Sequence, residues 1–442
     1  MGRPRLTAHL GVFMNGEEVG RLTSSSTDQL QFVYTNSWLQ SELSRPISLS
    51  LPLTSLVYRG SVVENYFENL LPDSQSIKNR IQARFKAKSN HSFDLLWHVG
   101  RDCVGAIQLL PESQHPESIQ TVRADLLTNS QIADMIHNYK SAPLGMNYED
   151  DDFRISIAGA QEKTALLKQG DHWYKPLGST PTTHIFKLPI GQIQNGRIDM
   201  TDSVENEWLC HLIFKAFSIP TADAEIGVFD DAKALIVKRF DRRWSADGSW
   251  LIRFPQEDLC QSLNTPSNLK YENHGGPGIV DIMSLLAASE SPFTDRYTFF
   301  KTQMLFWLMA AIDGHAKNFS VFLLSGGRYR LTPVYDVLSA HHLAANGQIQ
   351  SQKLKMAMAV RGKSKHYNWE RILPRHWYST GALCRFPAGQ VDKTVEELVG
   401  SLEAAIEQVG HQLPADFPAR VYEPLFAGML SARDLFIAGN GR

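Results

Sequence analysis

The sequence predicts an α+β protein whose first part is rich in β-strands and whose second part is mainly helical. Residues 10–14 and 19–22 read as two short strands that flank Asn15-Gly16, a dipeptide that tolerates the positive φ of a tight hairpin turn. From Ile279 onward helical patterns dominate, and residues 297–312 form a strongly apolar helix. A chain of 442 residues exceeds the size at which one hydrophobic core usually stops growing, so we expect more than one domain.

The domain junction is predicted in the acidic run at residues 149–152, which is typical of a solvated connector. We assign residues 1–148 to a β-rich N-terminal subdomain and residues 149–442 to a second domain. The first is predicted to contain a strand whose alternating apolar residues are Ile47, Leu49, Leu51 and Leu53. A helical region follows at 62–85, with Asp73 or Ser74 as an N-cap. A strand pair at 104–110 and a helix at 132–139 complete it. The second is predicted to contain strands near Ile155 and at 165–167, 184–188 and 234–240, and a helix at 203–217.

The composition favours a globular protein of a reducing compartment, and we expect a cytoplasmic location. Apolar residues make up 43% of the chain, and 44 Lys and Arg nearly balance 46 Asp and Glu. The four cysteines form no C-x-x-C pair, which disfavours a disulfide framework or a structural zinc site. Residues 1–22 lack the apolar core of a signal peptide. No stretch reaches the roughly 20 apolar residues that a membrane span needs, so no membrane partner is expected.

The most informative segment follows the apolar helix. Asp313 and Asn318 have the D-x-x-x-x-N spacing of the protein-kinase catalytic loop, in which the Asp accepts a proton from the substrate hydroxyl and the Asn binds magnesium. This spacing alone is weak, because an Asp is often a helix cap and an Asn is often a turn residue. The residues that follow it carry the rest of the prediction.

Residues 319–324 and 329–334 read as two strands joined by a turn at 325–327. A hairpin brings its two ends together, so Asn318 before the first strand and Asp336 after the second should meet. A carboxylate and an amide oxygen suit magnesium, which prefers hard oxygen ligands. The sequence therefore predicts a magnesium site that Asp313 also faces.

Two further features suit the binding of phosphate groups. Residues 155–163 place small side chains next to a strand, which lets backbone N–H groups approach phosphate oxygens. The segment has one glycine and matches neither G-x-G-x-x-G nor the Walker pattern, so it is a weak signal by itself. Lys187 lies within the apolar strand 184–188, where it is either an exposed strand lysine or a half-buried one beside an anion such as phosphate.

Taken together, these motifs resemble the HipA toxin kinases. In the N-terminal part the resemblance rests on residues 69–73 and 100–102, and in the second part on residues 156–164, 184–189, 239–242, 313–318 and 333–336. It covers nearly the whole chain, and the order of the motifs makes it specific.

The resemblance implies a two-lobed protein-kinase-like fold, with a β-rich N-terminal lobe and a mainly helical C-terminal lobe. It also implies a serine/threonine kinase that uses ATP and Mg²⁺. By matching position, Asp313 would be the catalytic base, Asn318 and Asp336 would bind the metal, and Ser156 would be an autophosphorylation site whose modification expels the phosphate loop. The residues that would contact ATP are Ala158, Gly159, Ala160, Gln161, Glu162, Lys163, Lys187, Lys238, Arg239, Phe240, His315, Ala316, Lys317, Asn318, Tyr335 and Asp336.

The same resemblance implies partners. The chain would be the toxin of a type II toxin–antitoxin system that causes growth arrest and persistence, bound by a HipB-type antitoxin that represses transcription at operator DNA. Its substrate would be a host protein, for which the resemblance suggests glutamyl-tRNA synthetase. Two positions depart from the family: Lys238 replaces an acidic residue, and Ala382 replaces a lysine at the DNA contact, where Arg385 is kept. We therefore expect operator DNA to be reached through the antitoxin.

Two alternatives are open. The chain could be a non-catalytic co-repressor of kinase shape, with a basic face interleaved with aromatic residues. That face would comprise Lys353, Lys355, Arg361, Lys363, Lys365, Arg371 and Arg375 with Tyr367, Trp369 and Trp377. A solvated helical surface explains the same cluster. A metal hydrolase that uses His315, Asp313 and Asp336 lacks a paired histidine motif.

Overall fold

The computed structural model describes residues 8–25, 29–116, 119–141, 163–193 and 197–439, and it mixes helices and strands. The strands are β1 (Ala8–Met14), β2 (Glu17–Ser24), β3 (Leu30–Tyr34), β4 (Tyr58–Arg59), β5 (Ile107–Pro111), β6 (Ala124–Leu127), β7 (Lys163–Gln169), β8 (His172–Pro176), β9 (His184–Lys187), β10 (Gly191–Ile193), β11 (Ile198–Met200), β12 (Ala224–Phe229), β13 (Ala232–Lys238), β14 (Arg242–Trp244), β15 (Leu251–Arg253), β16 (Gln256–Asp258), β17 (Ser320–Leu323), β18 (Tyr329–Leu331), β19 (Lys355–Arg361) and β20 (Lys365–Asn368). The α-helices are α1 (Asn36–Gln40), α2 (Ser61–Asn69), α3 (Gln75–Phe85), α4 (Ser92–Val99), α5 (Asn129–Ser141), α6 (Ser203–Ala216), α7 (Leu259–Ser262), α8 (Ile279–Leu286), α9 (Pro292–Leu308), α10 (His341–Ala345), α11 (Pro374–Leu383), α12 (Ala388–Val395), α13 (Leu402–Gly410) and α14 (Ala419–Gly439).

The chain divides into two compact units. The first comprises Met1–Leu188, Gly227–Asn268 and Ser320–Tyr329, and the second comprises Pro189–Ile226, Leu269–Phe319 and Arg330–Arg442. The first unit is rich in strands and the second is mainly helical, so the predicted α+β class is confirmed. The predicted boundary at residues 148/149 and the strand near Ile155 lie outside the described residues and stay predictions.

A five-stranded sheet of order β4-β3-β2-β1-β5 begins the first unit. The turn between β1 and β2 lies at Asn15 and Gly16, which have φ values of 45° and 89°, as the sequence predicts. The predicted strand pair at 104–110 is a single strand, β5, which begins at Ile107 and pairs with β1. Its partner comes from the start of the chain, which a local pattern does not reveal.

A six-stranded sheet of order β12-β13-β9-β7-β8-β6 forms the other main layer of strands. Strand β9 lies between β7 and β13 and is antiparallel to both. One continuous hydrophobic core joins side chains from both sheets and from α2 to α5, among them Leu10, Phe67, Ile136, Phe186 and Ile236. This core fixes the strands that carry the predicted phosphate-binding lysines.

A buried ion-pair network is centred on Asp102, which follows α4. Its carboxylate accepts hydrogen bonds from Arg242 at 3.0 Å, Arg239 at 3.4 Å and Arg253 at 3.5 Å. Asp241 accepts from Arg239 at 2.7 Å and from Arg242 at 2.8 Å. Burial alone would raise the pKa of Asp102, but the guanidinium groups of Arg242, Arg239 and Arg253 outweigh burial and hold that pKa well below its usual range. The network joins the segment before β5 to the segment after β13.

Helix α9 is the buried helix of the second unit. All side chains from Phe299 to Leu308 are buried, as expected for the strongly apolar helix of the sequence, which ends a turn earlier than predicted. Trp307 and Trp369 exchange hydrogen bonds, because each indole Nε1 donates to the other residue's backbone carbonyl, at 3.1 Å and 2.6 Å. Among the described residues, no helix is both long enough and apolar enough to cross a membrane.

The predicted strand at residues 47–53 is wrong. Ile47 and Leu51 are buried, as the alternation suggested, but the segment is a turn with an isolated bridge between Ser48 and Leu51. The hydroxyl of Tyr34 closes it, donating to the carbonyl of Leu51 at 2.5 Å and accepting from the amide of Ile47 at 2.9 Å. A side chain from another strand therefore satisfies the polar groups that a β-ladder would have paired.

The predicted helices of the first unit are present with different bounds. The helical region at 62–85 is broken into α2 and α3, and Ser74 caps α3 by accepting from the amide of Ile77 at 3.5 Å. The helix predicted at 132–139 extends over α5, from Asn129 to Ser141.

Candidate active site

The loop after α9 carries Asp313. The helix ends at Leu308, Ala310 has a left-handed φ of 47°, and the chain then exposes Asp313. A glycine is required at 314, because a Cβ atom there would lie 2.2 Å from the ring of Phe306. The next amide, of His315, donates back to the carbonyl of Asp313 at 2.8 Å. The backbone of Asp313 is therefore tightly fixed.

Asn318 brings together the residues on either side of the predicted hairpin. Its Nδ2 donates to the carbonyl of Asp313 at 2.9 Å and to the carbonyl of Asp336 at 3.4 Å. Asp336 has a left-handed φ of 61°, a conformation that Asp tolerates better than most residues do. The short strands β17 and β18 lie between these positions, as the sequence predicts. Asp313, Asn318 and Asp336 thus share one small region of the second unit.

The donor set of this region fits a magnesium ion. Because the Asn318 amide nitrogen is used on backbone carbonyls, its Oδ1 is the atom left to bind a cation. The carboxylate of Asp336 adds a second hard oxygen, and magnesium commonly takes one or two protein carboxylates together with phosphate oxygens and water. Among the residues that the structure describes, no three His, Cys, Asp or Glu side chains are grouped to hold a metal ion. The set of His315, Asp313 and Asp336 that a metal hydrolase would need is therefore not formed.

Other predicted nucleotide contacts surround the same loop. The hydroxyl of Tyr335 donates to the carbonyl of Lys317 at 3.1 Å, which places Tyr335 beside the loop. The side chains of His315, Ala316 and Lys317 are buried. The sequence gives no indication of Tyr271, whose hydroxyl donates to the carboxylate of Asp313. It lies 42 residues earlier in the chain, in a segment without periodic pattern, so no sequence signal would have found it.

Two predicted phosphate-binding lysines lie side by side in the first unit. Lys163 on β7 and Lys187 on β9 are directly opposed in an antiparallel pair, so both side chains leave the same face of the sheet. Only 8% of Lys163 and 6% of Lys187 is exposed, which excludes the exposed strand lysine that the sequence left open for Lys187. A buried ammonium group suits an anionic ligand such as phosphate, whose charge offsets the cost of taking the group out of water.

The predicted adenine-facing segment is mixed in character. Lys238 is exposed and Phe240 is half-buried, with its ring centroid 5.7 Å from that of Phe322. The guanidinium of Arg239 belongs to the buried Asp102 network, so only the backbone of Arg239 could contact a nucleotide. Ser156 and the loop residues Ala158, Gly159, Ala160, Gln161 and Glu162 lie outside the described residues.

The basic face of the co-repressor alternative is only partly formed. Trp369 and Trp377 are buried, so the expected aromatic interleaving is wrong at these positions. Arg361 and Lys365 form ion pairs with buried Glu272 at 3.3 Å and 3.0 Å. Five other basic residues of the cluster are exposed: Lys353, Lys355, Lys363, Arg371 and Arg375. Arg385 is also exposed and has a left-handed φ of 53° just after α11.

Comparison with known proteins identifies relatives over most of the chain. The chain is 31% identical over 334 residues to the "Putative kinase Y4mE" of Sinorhizobium fredii, covering 75% of this chain and 77% of that protein. It is 28% identical over 352 residues to the "Serine/threonine-protein kinase toxin HipA" of Shewanella oneidensis, covering 76% and 75%. A solved structure of HipA from Shewanella oneidensis MR-1, in complex with HipB and its operator DNA, has the same fold, with a TM-score of 0.81, 22% identity and 97% of each chain covered.

Two family matches agree with these relatives. Residues 10–110 match the HipA N-terminal domain, and residues 155–406 match the HipA-like C-terminal domain. The second match alone covers more than half of the chain, and both lie in the order in which the motifs occur. The chain therefore belongs to the HipA family.

Proposed function

We propose that this chain is a serine/threonine protein kinase that uses Mg-ATP and acts as the toxin of a type II toxin–antitoxin system. The observation that supports it is the contact of the Asn318 side chain with the carbonyls of both Asp313 and Asp336. A kinase needs a base and two oxygen ligands in one place, and this backbone contact supports such a grouping. Relatives named as kinases support the same reaction.

In this proposal, Asp313 accepts the proton of the acceptor hydroxyl. The hydroxyl oxygen forms a bond to the γ-phosphorus of ATP, the bond from that phosphorus to the β–γ bridging oxygen breaks, and ADP leaves with that oxygen. Asp313 is suited to this role because its backbone is fixed while its carboxylate is exposed. Asn318 and Asp336 would hold magnesium, which neutralises phosphate charge when bound.

Lys163 and Lys187 would neutralise the phosphate groups from the face of the β7–β9 pair. Both lysines are buried on one face of the sheet, where the low dielectric would strengthen their attraction for phosphate oxygens. The segment Ala158–Lys163 would supply backbone N–H groups to the same phosphates, Lys238 to Phe240 would meet the adenine, and Ser156 would be the autophosphorylation site, as the family resemblance implies.

We further propose a DNA-binding antitoxin of the HipB type as the partner, and a host protein as the substrate, with glutamyl-tRNA synthetase as the first candidate. The toxin would act in the cytoplasm and arrest growth. The solved HipA structure that shares this fold was determined with HipB and its operator DNA, which supports the choice of partner. The exposed residue Arg385 is the first position at which to test a direct DNA contact.

The test is incubation of the purified chain with Mg-ATP, followed by mass spectrometry that locates any phosphate. We expect phosphate on Ser156 in the wild type and none in Asp313→Gln or Asp336→Ala, both of which should give the circular dichroism spectrum of the wild type. Retained transfer in both variants would remove the assignment. Calorimetry with Mg-ATP separates the co-repressor alternative, because a pure scaffold needs no nucleotide.

A further inference from the structure

Tyr271 contacts the proposed catalytic base directly. Its hydroxyl donates a hydrogen bond to Oδ1 of Asp313, and it belongs to a loop that precedes α8. We propose that Tyr271 is a positioning residue that holds the Asp313 carboxylate in the orientation needed to accept the substrate proton. This inference rests on the proposed kinase function and adds a residue to its site.

The segment that carries Tyr271 is joined to the catalytic loop at two further points. The carbonyl of Lys270 accepts a hydrogen bond from the amide of Ala316 at 3.3 Å. The ring of Tyr271 meets the buried ring of His315 edge to face, with centroids 4.8 Å apart. The phenol, the ring and the backbone of this segment thus all contact residues 313–316, so the two loops hold each other in place.

The neighbouring residue anchors this loop to the body of the second unit. Glu272 is buried, and its Oε2 accepts from the amide of Ala359 at 2.6 Å, while Oε1 pairs with Lys365 at 3.0 Å. A Cβ atom at Gly278 would lie 2.3 Å from Cδ of Glu272, so the loop closes around this carboxylate. These contacts of Glu272 hold the backbone next to Tyr271 in place, so the position of the Tyr271 ring is fixed from its own loop.

The chemistry of a carboxylate explains what the phenol does. Asp313 is exposed, and an exposed carboxylate rotates freely unless a partner fixes it. A carboxylate has two oxygens that accept hydrogen bonds, so a bond to Oδ1 leaves Oδ2 for the substrate hydroxyl. General bases act within a narrow range of distance and direction, and fixing the orientation should raise the rate of the chemical step without changing nucleotide binding.

The kinetic test is Tyr271→Phe, which removes only the hydroxyl. We expect kcat for phosphoryl transfer to fall about tenfold, with the KM for ATP and the Kd for Mg-ATP unchanged. The matched control is Tyr378→Phe, because the hydroxyl of Tyr378 donates to Asp392 at 2.8 Å in another tyrosine–aspartate pair. The control should keep the wild-type kcat. An unchanged kcat in Tyr271→Phe, or an effect confined to the Kd for Mg-ATP, overturns the inference.

A second measurement does not depend on activity. Carbodiimide labelling with an amine, read by mass spectrometry, should modify Asp313 several-fold faster in Tyr271→Phe than in the wild type, because the phenol protects that carboxylate. Tyr378→Phe should accelerate labelling of Asp392 and leave Asp313 unchanged. If Asp313 labels equally in the wild type and in Tyr271→Phe, the inference fails even in an active kinase. If the wild type transfers no phosphate, the proposed function fails, and labelling still decides whether Tyr271 orients this carboxylate.

Discussion

Lys163 and Lys187 face each other across neighbouring antiparallel strands, and both side chains are buried. Directly opposed like charges repel each other in a sheet, and a bound anion reduces that repulsion. The arrangement is understandable at a site whose ligand carries several negative charges.

The first prediction concerns this lysine pair. Lys187→Met should weaken Mg-ATP binding by about tenfold or more, because it removes one of the two buried cations that are proposed to face the phosphates. Thermal unfolding with and without saturating Mg-ATP measures the effect, since a ligand that binds only the folded state raises Tm. Lys215→Met is the control, because Lys215 forms an exposed ion pair with Asp223 at 3.1 Å. Equal Tm gains in Lys187→Met and wild type would contradict the role.

The second prediction separates charge from backbone strain at Asp336. Asn tolerates a left-handed φ as well as Asp does, so Asp336→Asn should fold with unchanged Tm despite the φ of 61°. It should nevertheless lower phosphoryl transfer by several orders of magnitude, because it removes the carboxylate that is proposed to bind magnesium. Radiolabel transfer from ATP is the measurement. Asp336→Ala places a residue that tolerates a left-handed φ poorly at the same position, so it should also lower Tm. Equal Tm values for Asp336→Ala and Asp336→Asn would argue against backbone strain at this position.

The third prediction concerns the stability provided by Asp102. Asp102→Asn removes one of the two carboxylates of a buried network that contains three arginines, and it should lower the unfolding free energy by about 3–5 kcal/mol in urea denaturation. The control is Asp223, which forms an exposed ion pair with Lys215. Asp223→Asn should change the unfolding free energy by less than about 1 kcal/mol. Because the folded-state pKa of Asp102 is depressed, its contribution is present above the ordinary pKa of an aspartate and lost as pH falls below it. Wild-type stability should therefore decline below about pH 4, and the decline should be smaller in Asp102→Asn.

The fourth prediction concerns a buried acid in the first unit. Burial raises the pKa of Glu257 to about 8, and its carboxyl Oε1 accepts a hydrogen bond from the amide of Leu49 at 2.8 Å. An unfolded glutamate titrates near pH 4.3, so the folded protein holds an extra proton between these values and loses stability as pH rises through them. Glu257→Gln keeps an oxygen acceptor without the titration.

Urea unfolding of the wild type and Glu257→Gln at pH 5.5 and pH 8 tests this prediction. Between pH 5.5 and pH 8, the unfolding free energy of the wild type should fall by at least about 1.4 kcal/mol more than that of the variant. This difference corresponds to one pKa unit. Other titrating groups are common to both proteins and cancel in the difference. Parallel losses would mean that Glu257 is already ionised at pH 5.5.

Local patterns in the sequence predict the parts of this fold that depend on neighbouring residues. The hairpin at Asn15-Gly16 follows from the conformational preference of two adjacent residues. The approach of Asn318 to Asp336 follows from the shortness of the β17–β18 connection. In each case the partners are joined by a few residues of chain, so spacing alone restricts where they can lie.

Contacts between distant segments could not be predicted in this way. The alternation at residues 47–53 is real, but Tyr34 replaces the expected ladder, and nothing near residue 47 indicates that. Arg239 and Asp102 are 137 residues apart, so neither sequence neighbourhood reveals the other. Tyr271 is likewise separated from Asp313 by 42 residues. These pairings arise from tertiary packing, which periodicity does not encode.

The ion pairs of Asp102 also bear on how this protein can be shortened or recombined. Asp102 lies in the region that matches the N-terminal family domain, whereas Arg239, Arg242 and Arg253 lie in the region that matches the C-terminal one. A fragment that starts at residue 155 would keep Asp241 but would lose the carboxylate that all three guanidinium groups share. Gene fusions or deletions that separate the two regions should therefore be selected against, and exchange between relatives should transfer both regions together.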